Sequence, residues 1–200
     1  MKYTKMKIKI ETGDNLLVSS KGILPEAIQW FEECKWNHSA FFLWLNDILY
    51  VIEADKHGIA LTKWEDYTKS DKGLMILKPK KPITEQEKSD IIDFVLEYTG
   101  HTPYDYINLL FYQPVRYIAK KLFGKEIWIG RGKSKSSKKF ICGEWVAYVY
   151  NHFYGWFNKW NQVAPVDIYN DNNFDHYEWQ KTEGKLKRAY ALKNLIHLDK

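Results

Sequence analysis

Cysteine is scarce in this chain, and the scarcity excludes several constructions at once. Two thiols, Cys34 and Cys142, in 200 residues give no disulfide framework. No Cys-x-x-Cys pair and no His-x-x-x-His pair occurs, so the spacing of a zinc site is missing. Long apolar runs are lacking too: the densest, Phe41 to Leu45, is broken by Asn46-Asp47, well short of the roughly 18 residues a membrane span needs. The first nine residues alternate Lys with other types and have no apolar core of a signal peptide, which makes the cytoplasm the default location. There is no internal repeat and no long linker.

What is present is ordinary globular chemistry, with 45% hydrophobic and 28% charged residues. A chain of this length fits one domain over residues 1–200, with a substantial core. The net charge is +5 and the basic residues are unevenly placed. Arg131, Lys133, Lys135, Lys138 and Lys139 crowd the segment before Cys142, either as a solvated loop or as an attractant for an anionic substrate, phospholipid or nucleic acid. Nucleic acid is the disfavoured partner, because the basic run has no interleaved aromatics and no binding motif accompanies it.

The pattern of elements is mixed. Leu16-Leu17-Val18 reads as a strand and Pro25 to Glu33 as a short helix, with Pro25 suited to its first turn. Ser39 to Leu45 and Ile48 to Glu53 read as two strands joined by an Asn46-Asp47 turn. Leu74 to Leu77 is another strand. Thr84 and Glu87 form a capping box opening a helix that Gly100 ends. Asp105 to Phe123 is helical with a break or kink at Pro114. Pro165 to Tyr169 reads as a strand, and the residues beyond it are ambiguous. The class is α+β.

The segment Phe140-Ile141-Cys142-Gly143-Glu144-Trp145-Val146-Ala147 carries the most chemistry. Trp145, Val146, Val149 and Phe153 follow Cys142 at helical spacing, so the thiol stands at the opening turn of a helix and begins its inward stripe. A helix N-terminus offers partial positive charge and unpaired N–H donors, which favour the nucleophilic thiolate. The competing reading is a buried packing cysteine. What weighs against that is His38, in Trp36-Asn37-His38-Ser39-Ala40, available as a base.

The hairpin carries a third group. With Asn46-Asp47 alone as the turn, Leu45 opposes Ile48 and Ala40 opposes Glu53, which puts Glu53 diagonally across from His38 on the same face. Such an acid fixes the imidazole tautomer and stabilises its protonated form. A longer turn would make Asp55 the nearer acid. The other histidines compete less well. His152 is about 15 Å along the cysteine's own helix, His57 and His101 read as exposed turn residues, and His176 and His197 lie in the ambiguous region. Cys34 reads as a buried packing thiol.

The ordered set Gly13-Asp14, Asn37-His38-Ser39-Ala40, Ile52-Glu53-Ala54, Pro103-Tyr104-Asp105 and Phe140 to Val146 resembles the circularly permuted NlpC-type papain-like enzymes, the YiiX/YebB group. The resemblance covers about residues 10 to 170. In that group the histidine precedes the nucleophile in sequence. It implies a permuted papain-like α+β fold, with a central antiparallel sheet packed against helices that include the nucleophile helix. Position by position it implies Cys142 as nucleophile, His38 as base and Glu53 as the third polar residue. Gly143 departs from the group, which often has serine after the cysteine.

The reading that follows is a cysteine hydrolase, peptidase or amidase, in which Cys142 attacks a carbonyl, His38 moves the proton and Glu53 orients the ring. The Cys142 backbone N–H would help hold the oxyanion. No metal or organic cofactor is needed. The expected substrate is a peptide or amide, such as a murein stem peptide. With no export signal, murein would be reached through lysis, a phage origin or recycling. The alternatives are lipid acyl hydrolysis or transfer, as in permuted lecithin:retinol acyltransferase-type relatives, and a non-catalytic binding module. Trp156, Phe157 and Trp160 serve either as sugar-stacking rings or as core.

Overall fold

The computed structural model describes residues 9–70, 72–124, 139–182 and 185–191. The basic run from Arg131 to Lys138, and His197, fall outside them. The chain begins with β1 (Asn15–Ser19), α1 (Ile23–Glu32), β2 (His38–Leu45), β3 (Ile48–Asp55), β4 (Gly58–Lys63), α2 (Trp64–Tyr67) and β5 (Gly73–Pro79). It continues through α3 (Glu85–Leu96), α4 (Gln113–Phe123), α5 (Cys142–Tyr154), α6 (Pro165–Asn170), β6 (Phe174–Thr182) and β7 (Lys185–Ala191).

The strands form one antiparallel sheet in the order β4-β3-β2-β1-β5-β6-β7. Side chains two apart share a face, and the two faces bury different residues. Leu17, Phe41, Leu43, Ile52, Met75 and Leu77 pack with Trp145, Val146 and Val149 of α5 and with Ile91 and Val95 of α3. Leu16, Val18, Ala40, Phe42, Val51 and Ile76 pack on the other side with Trp64 and Tyr67 of α2. The β2–β3 hairpin has the register read from the sequence, with Leu45 opposite Ile48. Its turn places Asn46 at φ 48° and Asp47 at φ 61°, the left-handed pair that matches strand twist in a two-residue loop.

Helix ends follow local chemistry. Thr84 and Glu87 close the capping box of α3, the Thr84 hydroxyl accepting from the Glu87 N–H at 3.2 Å while Glu87 accepts from the Thr84 N–H at 2.8 Å. Gly155, at φ 66°, ends α5. The break expected at Pro114 is a change of helix type. Residues Asn108–Tyr112 widen into a π turn ahead of α4, which absorbs the missing proline N–H.

The expected strand at Pro165 to Tyr169 is instead helix α6. Pro165 occupies its first position, where no N–H is required, and Asp167 accepts from the Ala164 N–H at 2.8 Å. The short apolar run that suggested a strand is a little over one helical turn, with Pro165 and Ile168 buried. β4 and α2 carry no strong periodic signal and become visible only where they pair with β3 and cover Phe42. Trp156 and Trp160 pack into the core, against Tyr150 and Tyr148 at centroid distances of 5.5 and 4.8 Å.

Candidate active site

Cys142 is the first residue of α5 and is 5% exposed. Its N-cap, Ile141, has no side-chain oxygen to accept a first-turn N–H, and the helix start presents the positive end of the α5 dipole. Glu144, fully buried, accepts from the Ile141 N–H at 3.2 Å and from Asn108 Nδ2 at 2.7 Å. This joins the helix start to the π turn before α4. On the far side, Tyr150 donates its hydroxyl to the Gly13 carbonyl at 2.5 Å, tying α5 to the chain entering β1.

Gly143 has a structural cause. A Cβ there would lie 2.4 Å from the Val163 carbonyl oxygen and 3.0 Å from the Ala164 Cα, both backbone atoms. The absence of a side chain lets the Val163–Ala164 segment lie against the first turn of α5.

His38 opens β2. The paired register of β2 with β3 runs from Leu45–Ile48 to Phe41–Ile52, and His38 and Glu53 lie just beyond the last rung. His38 Nε2 is 2.5 Å from Glu53 Oε2. Cys142 acts on the same ring through its charge and its side chain. Burial would press the imidazole pKa down. The charges of Cys142 and Glu53, with hydrogen bonds to both, instead push it up to about 10. Asp55, the alternative acid, accepts from the His57 N–H at 2.7 Å in the turn to β4.

A residue the sequence reading missed completes the set. Tyr67, in the four-residue α2, donates to Glu53 Oε2 at 2.9 Å. Burial pushes the Glu53 carboxyl up, but the His38 charge and the hydrogen bonds from His38 and Tyr67 hold it below the usual carboxylate range. Burial and the Glu53 charge push the Tyr67 phenol well above its ordinary value, which keeps it a donor. Tyr104 is a second neighbour. It bridges to Phe140, and burial followed by the charges of Cys142 and Glu144 pushes its phenol far up. Of the other candidates, His152 stacks on Phe94 at 4.3 Å and His176 on Tyr169 at 5.0 Å. His57 and His101 are exposed, and burial pushes the half-buried Cys34 thiol up.

Beside Cys142 lies a groove of about 120 Å³ between α1 and the π turn leading into α4. Its walls are apolar except at Asn37, Gln113, Glu32 and Tyr117. The Asn37 side chain is already spent on Ser20, donating to its carbonyl at 2.9 Å and accepting from its hydroxyl at 3.0 Å.

Residues 9–112, just over half of the chain, match the permuted papain-like amidase enzymes, YaeF/YiiX, C92 family. The chain belongs to this family. The match takes in His38 and Glu53 and ends before Cys142. The crystal structure of metalloprotein YiiX from Escherichia coli O157:H7 has the same fold, with a TM-score of 0.61 at 15% identity over 87% of this chain and 98% of that one. A comparison with curated proteins finds no match. Among the described residues no group of three or more His, Cys, Asp or Glu is placed to hold a metal ion. Membership in the C92 family makes the chain a cysteine hydrolase of amidase type, and among the described residues no helix is long and apolar enough to cross a membrane.

Proposed function

We propose that this protein hydrolyses an amide bond through Cys142, His38 and Glu53, acting as one catalytic domain whose site draws on both halves of the chain. The carrying observation is the line of contacts from Tyr67 to Glu53 to His38 to Cys142. The Cys142 thiolate adds to the amide carbonyl carbon, and the N–H groups of the α5 start receive the developing oxyanion. As the C–N bond breaks, His38 gives its proton to the leaving amine, and an acyl-thioester remains on Cys142. A water then attacks that thioester, His38 takes the water's proton, and the carboxylic acid leaves with the thiol restored.

Glu53 is a positioning residue in this scheme. It holds Nε2 protonated, presents Nδ1 to sulfur and stabilises the imidazolium. Murein-type stem peptides and lipid acyl amides both contain the required bond, and the apolar groove at Cys142 favours the second. The test is turnover of a panel of peptide, muropeptide and acyl amides by the wild type and by Cys142→Ala. We expect the variant to be inert with an unchanged melting temperature. A Cys142→Ala variant that still turns over any substrate of the wild type rejects this assignment.

A further inference from the structure

Glu144 is a fully buried acid two residues from the nucleophile, and the proton transfers at Cys142 do not call on it. It belongs to a ring of hydrogen bonds between the start of α5 and a segment 36 residues upstream. Asp105 donates its N–H to the Phe140 carbonyl at 3.0 Å. The Asp105 carboxylate accepts from the Asn108 N–H at 3.0 Å, and the Asn108 amide donates to Glu144 Oε1 at 2.7 Å. Glu144 Oε2 then accepts from the Ile141 N–H at 3.2 Å, which closes the ring. Asp105, Asn108 and Glu144 are all buried, and in such surroundings an unmade hydrogen bond is costly, so the members hold one another in place.

The ring fixes the peptide unit that carries the Cys142 N–H. The Ile141 carbonyl accepts from the Trp145 N–H at 3.0 Å, the first bond of α5. In a planar trans peptide the N–H points opposite to the C=O, so the Cys142 N–H points out of the helix start. How that plane is turned depends on the Ile141 dihedrals, which sit at φ −94° and ψ 168°. Glu144 holds this residue by its N–H, and Asn108, the first residue of the π turn, holds Glu144. Local widening of this kind recurs at functional sites. Gly143, pressed on the Val163–Ala164 backbone, steadies the next residue along.

We propose that Glu144 and Asn108 are positioning residues for the oxyanion donor. They hold the Ile141–Cys142 peptide so that its N–H meets the charge developing on the carbonyl oxygen, and they take no part in forming the thiolate. This rests on the amidase reading of Cys142. The two buried acids near the nucleophile then have separate tasks: Glu53 acts on sulfur through His38, and Glu144 acts on the carbonyl oxygen through the backbone.

The test separates those tasks. Asn108→Ala removes the bond to Glu144, and Asn108→Leu removes it with the side-chain volume kept, in case the first variant unfolds. Removing one oxyanion donor outright costs about 10²–10³ in kcat, and a donor set loose costs less. On amides that the wild type turns over, kcat should fall roughly tenfold with KM unchanged, as for a contact made only in the transition state. Iodoacetamide alkylation of Cys142 needs the thiolate and no oxyanion donor, so its rate should stay within about twofold of wild type. Glu144→Gln keeps an oxygen for the Ile141 N–H and, with the Asn108 amide turned over, a bond to Asn108; its kcat should stay within about threefold of wild type. Alkylation that slows in step with kcat, a rise in KM in place of the fall in kcat, or an unchanged kcat overturns the proposal. Hydrogen exchange followed by NMR reads the same helix start without a substrate. The Ile141 and Trp145 amides should exchange about tenfold faster in Asn108→Ala while the α3 amides keep their protection; equal exchange overturns the proposal. A wild type that turns over no amide, with the exchange contrast present, would instead overturn the amidase reading and leave the anchoring of the Cys142 peptide standing.

Discussion

Replacing Glu53 by Gln isolates the charge in the candidate triad from its geometry. Both the His38 ring and the Tyr67 hydroxyl meet one carboxylate oxygen, Oε2, at 2.5 and 2.9 Å. A glutamine carbonyl oxygen in that place accepts both hydrogen bonds, so the ring orientation and tautomer persist and only the negative charge is lost. Hydrogen bonds to charged groups are worth about 1.5–3 kcal/mol and neutral ones about 0.5–1.5. The His38 imidazolium therefore loses roughly 1–2 kcal/mol, about tenfold in its hold on the proton. The thiolate–imidazolium pair becomes rarer by up to the same factor. Iodoacetamide alkylation of Cys142, followed by intact-protein mass spectrometry, reads this without a substrate. Near pH 7 the variant should react up to about tenfold more slowly than wild type. Above the wild-type His38 value of about 10 the imidazole is neutral in both proteins, so Glu53 has no imidazolium left to stabilise and the two rates should converge. Equal rates near pH 7 refute the role of Glu53, and a constant ratio at all pH values refutes the ion-pair argument.

Other outcomes follow from the same contacts. In the wild type, iodoacetamide near pH 7 should label Cys142 much faster than Cys34, whose thiol burial pushes up; equal labelling counts against Cys142 as nucleophile. Tyr67→Phe removes one donor to Glu53 and should slow alkylation in the direction of Glu53→Gln but by a smaller factor, and a larger effect would mean Tyr67 contacts the reacting atoms. Gly143→Ser puts a Cβ against the Val163 carbonyl and should cost about 1–3 kcal/mol in denaturant unfolding; an unchanged midpoint would show that the Val163–Ala164 segment yields freely. Burial pushes Glu32 up to about 7, more than the Tyr117 and Val166 donors lower it, from an ordinary value of 4.5. Between those values the folded state binds the proton that the unfolded state has released, so this group's contribution to stability falls as pH rises through the window. Glu32→Gln should therefore gain on wild type by roughly 2–3 kcal/mol between about pH 4 and pH 8; a pH-independent difference would show that Glu32 is not held in a desolvated site.

The sequence by itself determined the features whose causes are local. The Asn46-Asp47 turn and the period-two pattern on either side set the hairpin register, and one parity argument then put Glu53 beside His38. The capping box at Thr84, Gly155 after Tyr154, and the stripe from Cys142 to Phe153 set two helices, because each depends on residues within a few turns of one another. The tertiary structure decided what depends on contacts across the chain. Tyr67 reaches Glu53 from a four-residue helix too short for periodicity to announce. Pro165 to Tyr169 had the apolar content of a strand, and its placement beside α5, with Asp167 satisfying the Ala164 N–H, made it a helix. Gly143 looked like a departure from the group until the Val163 carbonyl was seen where its side chain would be. The groove at Cys142 is built by residues more than a hundred positions apart, Leu24 and Cys142 among them, and no window of sequence contains both walls of a cavity.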